Sequence, residues 1–228
     1  MLENLKKEVC EANIELFKRG LIIFTWGNVS AIDEKSELVV IKPSGVPYEN
    51  MKPNDMVVLN LKGEIIEGKL KPSSDTKTHL ELYRNFKEIK AIAHTHSTYA
   101  TAFAQAGKEI EILGTTAADY FYESIKLSRD LREDEMNEYE LNTGKVIVES
   151  LKDKDILASP AILVKSHAPF IFGKNLFDAV HNSVVLEEIA KMNFISLSLN
   201  PNSTKIDKFI LDKHYLRKHG KGAYYGQD

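Results

Sequence analysis

Apolar side chains at Leu2, Leu5, Val9, Ala12 and Leu16 recur in steps of three and four. That spacing forms one helical stripe over residues 2–19, with Gly20 as the C-terminal stop. The segment LIIFTWGNVSAID reads as a strand that breaks into a turn at Gly27-Asn28. ELVVIKPSG is a second strand, ended by Pro43 and Gly45. DMVVLNLKGEIIEG carries two apolar runs around Lys62-Gly63, a hairpin pattern. KPSSDTKTHLELYRNF opens on turn residues and continues as a helix buried through Leu80, Leu82, Tyr83 and Phe86. Ser74 or Asp75 stands where its N-cap belongs.

IKAIAHTH is a further strand, and STYATAFAQAG a helix of small residues after it. AILVKSHAPFIFG reads as a strand entering a loop, and NLFDAVHNSVVLEEIAKMNFISLSL as the longest helix. The tail, LDKHYLRKHGKGAYYGQD, is polar, basic and aromatic. Strands and helices mix without strict strand–helix–strand alternation. One α/β domain over residues 1–228 with a mixed or antiparallel sheet is expected.

Composition narrows the class. The chain has 228 residues, 43% hydrophobic and 28% charged, as in ordinary globular proteins. A net charge of −3 supplies no bulk positive field for nucleic acid or anionic membrane. Cys10 is the single cysteine, so no internal disulfide forms, which fits a reducing compartment. It falls beside the first helical stripe and reads as a packing residue. The first residues lack a secretory pattern, and no apolar run approaches the ~20 residues of a membrane span. A cytoplasmic protein is expected.

His94 and His96 are the first candidates for chemistry. Residues i and i+2 of a strand share a face, so both rings can converge on one ion. Surface His-x-His pairs also occur without an ion. His167, again just after an apolar strand, adds a third imidazole, and catalytic zinc commonly takes three protein ligands. Imidazole also suits manganese, cobalt and iron. His79 and His181 lie in helices and read as structural.

Three short segments offer hydroxyl and amide groups to an anion. They hold Gly27 and Asn28, then Lys42, Ser44 and Gly45, then Ser73, Ser74 and Asp75. Ser73-Ser74 at a helix start presents backbone N–H groups and a positive dipole end. Each segment alone is also ordinary turn chemistry. Asp75 has two readings: a cap for helix amides, or a group facing a metal or substrate.

Taken together and in this order, His94-Thr95-His96, His167, WGNVS, IKPSG and PSSDT resemble the class II aldolase/adducin superfamily. GTTAADYFY and the tail are similar to its L-ribulose-5-phosphate 4-epimerase branch over nearly the whole chain. The resemblance implies a three-layer αβα fold with a central, mostly antiparallel sheet. It implies a C4 homotetramer with Zn2+ at the subunit interface, Mn2+ or Co2+ being alternatives. The implied ligands are His94, His96 and His167, with Asp75 nearby or coordinating. Asn28, Lys42, Ser44, Gly45, Ser73 and Ser74 would hold the sugar phosphate. Asp119 and Tyr225 match an acid/base pair from the neighbouring subunit, where residues about 211–228 would pack. Thr115, Glu140, His214 and Arg217 match residues that line or support the site. Ala117 stands where relatives often carry histidine, and MNEYEL is one residue shorter, which loosens the match at Glu140.

The implied reaction explains the residue types. The C4 hydrogen of a ketopentose phosphate is not next to the C2 carbonyl, so simple proton exchange gains no enolate stabilisation. Breaking C3–C4 in a retro-aldol step, turning the glycolaldehyde phosphate and re-adding it to the dihydroxyacetone enediolate inverts C4. That needs a Lewis acid, a phosphate clamp and two proton-transfer groups. A sugar-phosphate aldolase of the same superfamily is the first alternative, although Asp75 stands where such aldolases typically carry glutamate. A non-catalytic module like the adducin head is the second, although such modules lose the histidines retained here.

Overall fold

The computed structural model describes residues 2–225. Its centre is an eight-stranded sheet in the order β4-β3-β2-β1-β5-β8-β7-β6. The strands are β1 (Gly27–Asp33), β2 (Leu38–Ile41), β3 (Val57–Asn60), β4 (Ile65–Glu67), β5 (Ala91–Thr95), β6 (Lys126–Leu127), β7 (Ala161–Leu163) and β8 (Pro169–Gly173). Every neighbouring pair is antiparallel except β6 with β7. The helices are α1 (Glu3–Lys18), α2 (Thr76–Asn85), α3 (Thr98–Gln105), α4 (Thr115–Ala118), α5 (Tyr139–Leu151), α6 (Leu176–Leu199) and α7 (Lys208–His219).

Both faces of the sheet are covered, and side-chain alternation sorts them. Val29, Ala31, Ala91 and Ala93 pack with Val9 and Leu16 of α1 and Leu186 and Ile189 of α6. Ile92, Phe170 and Phe172 pack with Leu80, Leu82 and Tyr83 of α2 and Ile147 of α5. Period-two alternation therefore puts Asn28, Ser30, Ile92 and His94 on the α2–α5 face. No helix among the described residues is long and apolar enough to cross a membrane.

Two boundaries differ from expectation. The apolar stretch before Gly27 is not strand; β1 begins at Gly27 itself. Gly27 has φ +143, and a Cβ there would lie 2.6 Å from the His94 carbonyl oxygen. The chain can pair with β5 at that point only without a side chain. AILVKSHAPFIFG is a hairpin rather than one strand and a loop, with His167 in its turn. Three helices, the short α4 and the longer α5 and α7, were not foreseen. The basic tail expected from residue 211 lies partly in α7, and its last three residues fall outside the described residues.

Candidate functional site

The three histidines meet. His94 is the penultimate residue of β5 and pairs in register with Asn28 of β1. His96 lies just past the strand end, and His167 comes from the β7–β8 turn. His94 Nε2 is 3.1 Å from His96 Nε2 and 3.2 Å from His167 Nε2. All three candidate ligand atoms lie within 4.8 Å of one another. Three nitrogens at zinc–nitrogen bond length in tetrahedral array stand about 3.3 Å apart, so the spacing fits an ion.

The donor set fits as well. His94 Nδ1 is 2.9 Å from the Pro169 carbonyl oxygen, which can only accept. The proton is therefore on Nδ1, and Nε2 presents its single lone pair inward. Two further imidazole nitrogens crowd that one lone pair. A cation satisfies all three, whereas hydrogen bonding satisfies one contact. Burial lowers the pKa of each ring, to about 4 for His167, where His94 adds to the effect; the Asp75 charge opposes it in all three. The imidazoles are thus neutral near pH 7, the form a metal takes. Tyr139 Oη is 3.3 Å from His167 Nδ1 and gives that ring its outer partner. Sequence reasoning passed over Tyr139, because a tyrosine in an acidic segment carries no motif.

The turn that carries His167 is held in place. Ser166 sits at φ +61, left-handed backbone that costs a non-glycine residue roughly 1–2 kcal/mol. Ser166 Oγ donates to Asp130 at 2.9 Å, and Lys165 pairs with the same carboxylate at 2.6 Å.

Asp75 stands beside the triad but outside the three-nitrogen cluster. It occupies the N-cap position of α2, yet its side chain caps no amide. Its Oδ2 instead accepts from Asn28 Nδ2 at 2.6 Å. Burial pushes the carboxyl pKa up, but His94, His79 and the Asn28 amide outweigh this and leave it below the ordinary value. Asn28 Oδ1 is buried without a partner among the described residues, so one acceptor at the site remains unspent.

The three polar segments come together around this point. Ser44 N–H donates to the Lys71 carbonyl and Ser73 N–H to the Lys42 carbonyl, both at 2.9 Å. Those bonds lay the Lys42–Gly45 turn against the Ser73–Ser74 entry to α2. Gly45 has φ +69, which the turn requires. Ser44 and Ser74 are exposed, Ser73 buried. Lys42 is 2% exposed, its Nζ 4.8 Å from the Tyr48 ring centroid and donating to the Pro43 carbonyl at 3.1 Å. No carboxylate pairs with it among the described residues, and burial lowers its pKa to about 8. That shift amounts to on the order of 3 kcal/mol against the charged form. A bound anion would recover it.

A second cluster forms elsewhere in the same chain. Asp119, at the end of α4, accepts from Arg217 Nε at 3.0 Å and Nη2 at 2.7 Å, and its Oδ1 lies 3.0 Å from His214 Nδ1. Burial raises the Asp119 pKa, but Arg217, His214 and Lys218 outweigh it and hold the carboxyl below its usual value. The Tyr225 ring lies over Arg217 and Lys218 at 4.9 and 4.4 Å, and its N–H donates to the Arg217 carbonyl. Thr115 is exposed in the first turn of α4. Glu140 falls on the histidine side instead: it follows Tyr139, and its carbonyl accepts from Thr78 Oγ1 at 2.5 Å. The fold of one chain thus assembles two separate clusters, with no contact among the described residues between Asp119 or Tyr225 and His94, His96 or His167.

The chain belongs to the class II aldolase and adducin N-terminal domain family, whose model matches residues 7–194. Its fold is similar to that of an L-fuculose 1-phosphate aldolase, at 24% identity and TM-score 0.79 over 92% of this chain and 94% of that one. YgbL from Escherichia coli, described as a candidate aldolase/epimerase/decarboxylase, gives 24% identity and TM-score 0.74 over 92% and 97%. The L-fuculose 1-phosphate aldolase of Glaciozyma antarctica PI12 gives 21% identity and TM-score 0.77 over 97% and 84%. At these identities the likeness is one of fold.

Proposed function

We propose that this chain is a metal-dependent L-ribulose-5-phosphate 4-epimerase, acting as a homotetramer in which Asp119 and Tyr225 of one copy complete the histidine site of the next. The observation that carries the reading is the second cluster. An aspartate held ionised by Arg217 and His214, with a phenol stacked on the same arginine, suits a proton-transfer pair, and no contact among the described residues joins it to His94, His96 or His167. The exposed Phe209 and Leu216 on α7, at 70% and 51%, are apolar surface for the neighbouring copy to cover.

A divalent cation, Zn2+ in this reading, held by His94, His96 and His167 would supply Lewis acidity toward the carbonyl end of the substrate. Lys42, Ser44, Gly45, Ser73 and Ser74 would hold the phosphate, with Asn28 orienting the sugar end. One of Asp119 and Tyr225 takes the proton from the C4 hydroxyl. The C3–C4 bond breaks, and its electron pair passes into the C2–C3 enediolate. The phosphate clamp keeps glycolaldehyde phosphate from leaving while its aldehyde turns. Re-addition to the other face forms C4 inverted, and the second group returns the proton. Thr115, Glu140, His214 and Arg217 would support these groups.

The shared fold of the L-fuculose 1-phosphate aldolases favours a second reading, cleavage with release of both fragments. Zinc-loaded protein incubated with L-ribulose 5-phosphate separates the two. Appearance of D-xylulose 5-phosphate supports the epimerase, and free fragments without it support the aldolase. No conversion in either direction refutes the epimerase.

A further inference from the structure

Helix α2 and strand β1 meet through two rungs. Asp75 and His79 stand four residues apart on the helix, and the His79 N–H donates to the Asp75 carbonyl at 3.1 Å. Asn28 and Ser30 stand two apart on the strand, facing the helix. Asn28 Nδ2 donates to Asp75 Oδ2 at 2.6 Å, and Ser30 Oγ lies 2.7 Å from His79 Nδ1. The spacings match: four helical residues rise roughly 6 Å and two strand residues roughly 6.6 Å.

The lower rung has a direction. Ser30 Oγ stands between Tyr83 Oη at 2.8 Å and His79 Nδ1 at 2.7 Å. The Asp75 charge acting on the ring favours the tautomer with its proton on Nε2, and Ser30 O–H then donates to Nδ1 and Tyr83 O–H to Ser30 Oγ. His79 is fully buried, and Nε2 has no partner among the described residues. A buried N–H left unspent costs ~1–3 kcal/mol, and such a group needs a reason. Helical side chains lean toward the N-terminus, and there stands the Asp75 carboxylate, whose charge acts on His79.

We propose that His79 is a positioning residue for Asp75: the Tyr83–Ser30 chain fixes its ring so that the Nε2–H dipole steers the carboxylate toward the three imidazoles. This rests on the metal-centre reading above. Asp75 then sets the negative charge beside the cation, and His79 sets where that charge lies.

The test measures zinc affinity by chelator competition, with the electronic spectrum of the Co2+-loaded protein as a second readout. His79→Phe is expected to weaken zinc binding by roughly 10–100-fold and to alter the Co2+ bands. His79→Gln, which keeps an N–H donor near the Nε2 position, restores most of the affinity. In an Asp75→Asn background the same His79→Phe change adds less than about twofold, because the group it steers is gone. Equal losses with and without the carboxylate, or wild-type affinity in His79→Phe, overturn the proposal. If His79→Phe does not fold, Ser30→Ala runs the same cycle, with a smaller loss expected and the same overturning outcomes. Wild-type protein that binds no zinc refutes the metal centre itself, a result distinct from an intact centre indifferent to His79.

Discussion

Arg217 grips Asp119 with two near-parallel donations, Nε to Oδ1 and Nη2 to Oδ2, across 98 residues of sequence. A planar fork matches a carboxylate in a way that a lysine cannot. Asp119→Asn is expected to cut kcat by roughly 10²–10⁴ while leaving zinc content unchanged. Arg217→Met removes the largest influence holding the Asp119 pKa down, so that pKa rises toward its ordinary value. A base with a higher pKa is protonated at higher pH, so the acid limb of the kcat profile moves up. A limb that stays in place in Arg217→Met would show that another group sets it.

The proposed metal centre predicts a graded response. Replacing His94, His96 or His167 by alanine should lower zinc affinity by more than the roughly 10–100-fold typical of outer partners. Tyr139→Phe removes the partner of His167 Nδ1, and a loss of roughly tenfold is expected. Zinc titrations of the four variants, checked against their melting temperatures, would expose a general loss of fold.

If Lys42 holds the substrate phosphate as proposed, phosphate binding should be sensitive to pH. Its ammonium is charged below about 8 and neutral above. A phosphate dianion needs the charged form, so KM should rise from pH 7 to pH 9 while kcat changes less. Removing a charge-assisted hydrogen bond is worth roughly 1.5–3 kcal/mol, so Lys42→Met should raise KM by roughly 10–100-fold. It should also flatten the pH dependence. A KM that climbs equally in the variant would assign the titration elsewhere.

Glu187 caps a helix from a distance. Its two carboxylate oxygens accept from the N–H groups of Tyr99 and Ala100, at 2.8 and 2.9 Å, where α3 begins just after His96. At 9% exposure it has little water to fall back on. Glu187→Leu strands both amides at roughly 1–3 kcal/mol, a fall in melting temperature of several degrees for a chain this size. Zinc affinity should fall too, because the cap fixes the bend that turns His96 inward. Calorimetry with and without zinc measures both effects.

The sequence made the histidines legible because His-x-His at a strand end declares its face. His167 was legible as a third arm, yet its hairpin was not, since the turn runs through Ser166 in a conformation with no glycine to mark it. The Lys42 and Ser73 segments could be named as anion loops. That they pair backbone to backbone follows from sheet topology, which local pattern does not carry. α5 had a readable stripe at Thr143, Val146, Ile147 and Leu151, hidden behind the acidic run before it. α7 had none: no residue of it is buried in this chain, so periodicity had nothing to report. Asp119 and Tyr225 came from resemblance alone, because the contacts that mark them join segments about 100 residues apart.

The order of the parts along the chain sets a schedule. His94 and His96 arrive together, but His167 follows 73 residues after His94, on a turn that reaches the site only when β8 pairs with β5. A growing polypeptide therefore offers an ion two weak imidazoles for much of its synthesis, and a full grip only once that hairpin closes. If the three imidazoles hold a metal as proposed, loading waits on that late pairing rather than on the first two ligands.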